Sequence, residues 1–91
     1  MDIEDLISRF LGRSSSKLAI LMQCDRLFHM LQKPHRYCQP YFTDDNPPKV
    51  TVTISCLPPG ETEIRTLEVD YDDSFPSDEL IAKLMLLGMI K

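Results

Sequence analysis

The final fourteen residues, DELIAKLMLLGMIK from Asp78 to Lys91, limit the fold more than any other stretch of this chain. Leu80, Ile81, Ala82, Leu84, Met85, Leu86, Leu87, Met89 and Ile90 are apolar. Only Asp78, Glu79, Lys83 and Lys91 carry charge. A helix that is apolar nearly all round needs cover on more than one side. A chain of 91 residues forms one domain and buries only about 60–65% of its unfolded surface. It has little spare structure to supply that cover. The segment therefore belongs either at the centre of the core or against a partner.

The rest of the chain divides into three parts. Residues 1–33 read as helical. Ile3, Leu6, Ile7, Phe10 and Leu11 share one face of a helix over Asp2–Leu11, with Gly12 placed to end it. A second helix is expected from about Lys17 to Lys33, with Leu18, Leu21, Cys24, Phe28 and Leu31 as its stripe, Ile20, Leu27 and Met30 widening it, and Pro34 as its stop. Residues 34–48, PHRYCQPYFTDDNPP, hold four prolines and an Asp-Asp-Asn cluster and read as a long loop. Residues 49–71 read as a β-hairpin. Val50, Val52, Ile54 and Cys56 alternate with Thr51, Thr53 and Ser55, and Pro58-Pro59-Gly60 supplies turn chemistry. In the return strand, from about Thr62 to Tyr71, Leu67, Val69 and Tyr71 point inward. Ile64 breaks that phase, which calls for a bulge or an outward-facing Ile64.

Ser77 is placed to cap the last helix, with Asp78 and Glu79 in its first turn and the apolar segment 77–91 following. The expected fold is therefore a small single α+β domain over 1–91, in the order ααββα. Its antiparallel hairpin packs on about three helices.

Charge is unevenly spread. The net charge is −4, with six basic and four acidic residues over 1–43 against four basic and ten acidic over 44–91. The acidic half disfavours nucleic acid and anionic membranes and suits a basic partner surface. The longest mostly apolar run is far short of the ~20 residues that cross a membrane. Three cysteines and an acidic N-terminus without a secretory pattern lead us to expect a soluble intracellular protein, cytoplasmic or nuclear, with reduced thiols.

Motifs for chemistry are sparse. Cys24, His29, His35 and Cys38 have metal-ligand types in the spacing C-x4-H-x5-H-x2-C. Structural zinc sites start from a tighter C-x2–4-C knuckle, and Cys24 and His29 would lie about 140° apart around a helix. No metal, cofactor or catalytic set is expected. Asp44-Asp45 and Asp72-Asp73 read as turn residues. Three glycines leave no phosphate-cradling loop.

Two binding surfaces remain. The first is the apolar terminal helix, with Leu80, Ile81, Leu84, Met85, Leu87 and Met89 as partner-binding residues spaced like helix-in-groove anchors. The second is the basic, aromatic group Lys33, His35, Arg36 and Tyr37, suited to holding a phosphate and stacking a base. We expect a non-enzymatic protein–protein interaction module (an inhibitor, adaptor or assembly subunit), with a homodimer as its simplest assembly. Nucleic-acid binding, or an acidic mimic of nucleic acid, is the alternative. In general style the chain resembles small viral or phage accessory proteins and assembly subunits. No motif carries that likeness, and it implies no residue roles.

Overall fold

A computed structural model describes Ile3 and residues 15–91, and the fold is α+β. The helix expected over Asp2–Leu11 lies outside the described residues, apart from Ile3, which is exposed. The described order is α1 (Ser15–Met30), β1 (Tyr37–Phe42), β2 (Val50–Cys56), β3 (Arg65–Asp70) and α2 (Asp78–Leu86). The sheet is antiparallel with spatial order β1-β2-β3. This corrects the expected two-stranded hairpin: the sheet has three strands.

The third strand comes from the stretch read as a loop. Pro40 sits within β1, opposite Val52. The Thr43 N–H donates to the Lys49 carbonyl at 3.0 Å, making that pair hydrogen-bonded. Bonded and non-bonded pairs alternate along an antiparallel ladder, so Pro40 and Val52 form a non-bonded pair. The proline nitrogen therefore faces away from β2, on an edge strand where no amide is needed.

The alternation read in β2 holds. Val52, Ile54 and Cys56 are buried, and Leu67 and Val69 lie opposite them half-buried. The other face carries Tyr37, Gln39 and Tyr41 from β1, Thr51, Thr53 and Ser55 from β2, and Thr66, Glu68 and Asp70 from β3. β3 starts at Arg65, so Ile64 precedes it and is exposed, and no bulge is required.

The inward face joins both helices in one core. On α1 and just past its end, Ile20, Cys24, Leu27 and Leu31 are buried, at spacings of four, three and four. Leu21 and Met30, expected on or beside the stripe, are exposed, and Phe28 is half-buried. The buried face is thus centred on Cys24, Ile20 and Leu27, with Ile20 and Leu27 on the widened stripe and Met30, also read there, outside.

α2 ends where its sequence permits. The Ser77 hydroxyl oxygen accepts the Leu80 N–H at 3.1 Å. Gly88 adopts φ +77°, its N–H donates to the Met85 carbonyl, and the Met89 N–H donates to the Leu84 carbonyl. That pair of bonds is the Schellman ending, in which a left-handed glycine reverses the chain. The reversal sends Met89 and Ile90 back into the core. There Gln32 donates its N–H to the Met89 carbonyl at 2.9 Å, and Leu31 bridges Ile90. The apolar segment is therefore a helix over Asp78–Leu86 followed by a buried tail.

Candidate functional site

Burial sorts the residues of the terminal segment. Leu84 and Met89 are 0% exposed and Leu80 is buried beside them. These three are part of the domain's buried core cluster. Ile81 and Leu87 are half-buried against that core. Met85 is 51% exposed and Leu86 is 89% exposed. The exposed apolar part of this segment is thus the flank of α2 that holds Ala82, Met85 and Leu86.

Part of that flank borders a groove of about 520 Å³ between β3 and α2. Glu79, Ala82, Lys83 and Leu86 form one wall, at helical spacings of three, one and three that keep them on one face. Val69 and Asp70 form the opposite wall. Phe75 and Leu80, both buried, lie at its base. The connecting turn closes one end with Asp72 and Ser77.

Asp72 is fixed by its own turn. Its Oδ1 accepts the Ser74 N–H at 2.8 Å and the Ser74 hydroxyl as well. These bonds, the hydroxyl's first, hold its carboxyl below the usual range. Among the described residues, the groove therefore joins an apolar base to a rim with three carboxylates, Asp70, Asp72 and Glu79, against one cation, Lys83. Sequence reading missed it, since β3 and α2 meet only in the folded chain. The adjacent signals were the apolar excess of the last helix and the acidic second half.

The basic segment is only partly available. Lys33, His35 and Tyr37 are exposed, and His35 sits at φ +60°. Arg36 is half-buried with its guanidinium 4.5 Å from the Phe28 ring centroid, an intramolecular cation–π contact. Lys17 lies in the same way 5.2 Å from the Phe42 ring centroid. Two of the nearby cations thus serve packing. Tyr37 shares its sheet face with Glu68 and Asp70, which disfavour a polyanion there.

The four residues with metal-ligand chemistry separate. Cys24 and Cys38 are buried together between α1 and β1, while His29 and His35 are exposed. Among the described residues, no three His, Cys, Asp or Glu side chains gather as a metal site. The two thiols interact. Contact with Cys24, then burial, pushes the Cys38 thiol well above its ordinary range. Burial also pushes up the Cys56 thiol. Cys56 lies against the tail, its Sγ 3.8 Å from the Met89 carbonyl. Neutral, enclosed thiols of this kind behave as small apolar side chains.

No protein-family model, curated protein or solved structure matches this chain. Among the described residues, no helix is long and apolar enough to cross a membrane.

Proposed function

We propose that this protein is a non-enzymatic interaction module that docks on another protein through the outward flank of α2. The observation that carries this reading is Leu86, 89% exposed beside exposed Met85 and Ala82 on a helix whose other side is core. Covering apolar surface of this kind contributes about 25 cal/mol per Å² before association costs are subtracted. Met85 adds a side chain that adapts to a partner's shape. A module of this design acts by occupying a surface, as an inhibitor, adaptor or assembly subunit. Two copies packed flank to flank about a two-fold axis are the simplest such assembly.

Leu86→Asp tests this reading. The substitution places a charge at an exposed position and should leave the fold intact. Solution mass by light scattering across a dilution series, with affinity capture in parallel, should show loss of assembly or of the captured partner. Ile64→Asp, exposed just before β3 and away from α2 in sequence, is the control and should behave as the natural chain does. Equal assembly and capture for Leu86→Asp and the natural chain would overturn the proposal.

A further inference from the structure

We infer that the groove between β3 and α2 receives an extended, basic segment of a different protein, added to the sheet as a fourth strand along β3. This rests on the interaction reading above and names the partner's chemistry.

The backbone of β3 supplies the first argument. The Tyr71 N–H donates to the Val50 carbonyl at 2.9 Å, and the register pairs Val52 with Val69 and Ile54 with Leu67. Alternation then turns the amides of Leu67, Val69 and Tyr71 toward β2. The N–H and C=O groups of Thr66, Glu68 and Asp70 point the other way, off the edge of the sheet. Among the described residues, no backbone group answers them. The opposite edge differs, because Pro40 removes one outward amide from β1. An open edge of this kind is a template for another strand.

Side chains supply the second argument. An added strand alternates its side chains between the two faces of the sheet. Those on the core side descend into the groove over Val69, Phe75, Leu80 and Leu86, which calls for apolar residues. Those on the other side stand beside Glu68 and Asp70, which calls for lysine or arginine. Asp72 and Glu79 on the rim add to the same preference.

Charge also decides against a second copy here. Two-fold pairing of β3 with itself would bring Glu68 and Asp70 of one copy against the same carboxylates of the other. Like charges across a strand pair are destabilising. The acidic edge therefore selects a strand of opposite charge, carried by another protein.

The probe is a capped, labelled peptide alternating lysine and valine, titrated into the full chain and followed by fluorescence anisotropy. A peptide of equal length alternating glutamate and valine is the comparison. Glu68→Pro removes one outward amide while leaving the ladder to β2 in place, and Glu68→Ala removes the side chain alone. The lysine peptide should bind and the glutamate peptide should not. Glu68→Pro should bind at least about tenfold more weakly than Glu68→Ala, the loss of one edge hydrogen bond plus misfit beside it. Hydrogen exchange on the natural chain gives a readout that does not depend on any variant folding. The Thr66, Glu68 and Asp70 amides should gain protection when the lysine peptide is added.

Failure of the lysine peptide to bind, equal binding of the glutamate peptide, or no gain in protection would each overturn the inference. So would protection that rises with protein concentration alone, which assigns the edge to a second copy. If Leu86→Asp loses binding while Glu68→Pro matches Glu68→Ala, strand addition falls and the helix reading stands. If neither variant changes binding, both fall.

Discussion

The three cysteines show how single residues are used in this domain. All three are buried in the core and free of disulfides. Their protonation nevertheless links the fold to pH. In the unfolded chain a thiol ionises around its ordinary value of 9.0, whereas in the fold Cys38 and Cys56 hold their protons to higher pH. Tyr71 follows the same direction from its own higher starting value, through burial first and the charges of Cys24, Asp73 and Asp72 after it. Between the unfolded and folded pKa values, the folded state binds more protons than the unfolded chain. The stability from these groups is therefore fully present below about pH 9 and declines as pH rises beyond it. Cys24, lowered by its contact with Cys38, acts in the opposite sense and below that pH. There the fold gives up its proton before the unfolded chain does, so it adds stability as the pH approaches about 9 and no slope beyond. Urea midpoints measured across alkaline pH should fall once the pH passes about 9. Cys38→Ala should fall less steeply, and an equal slope would show that the thiol is not the titrating group.

Among the elements, α2 depends most on one backbone position. Gly88 carries the left-handed turn that ends the helix and returns Met89 to the core. A Cβ built there would meet only Pro58, at an ordinary 3.7 Å. The cost of Gly88→Ala is therefore conformational rather than steric, about 1–2 kcal/mol from forcing an L residue left-handed. Chemical unfolding should show that loss, and a neutral result would mean the tail is not held by this turn. The start of this helix was legible in the sequence, since Ser77 announces itself by type and place. So was the face of β2, because alternation is a local signal. β1 was not legible, since prolines and an Asp-Asp-Asn cluster normally mark loops. What rescues it is an edge position with alternate amides unneeded, and that depends on which strand lies beside it. The α1 stripe was read too wide for a similar reason. Apolar residues nearly surround that helix, and only packing decides which of them go inside.

For the whole molecule, the decisive fact is that the most apolar segment serves the core first and leaves only one flank outside. Leu84 lies within the core cluster, fully enclosed, while Leu86, two residues along the same helix, is almost fully exposed. Aspartate at the two positions should therefore have opposite consequences. At Leu84 a carboxylate would be stranded in a dry site without a partner, at a cost of several kcal/mol on top of the lost packing. A small domain holds about 5–15 kcal/mol in total, so Leu84→Asp should lack a cooperative thermal transition. Leu86→Asp should melt within a few degrees of the natural chain, because a change at an exposed position usually shifts stability by only about 0.5 kcal/mol. Circular dichroism melts of the two variants side by side measure this directly. A folded Leu84→Asp that merely dissociates would reverse the assignment, making the inner side of α2 an interface between proteins. The outward flank would then lose its claim as the docking surface, because a helix whose inner side is already paired with a partner needs no second one to satisfy it.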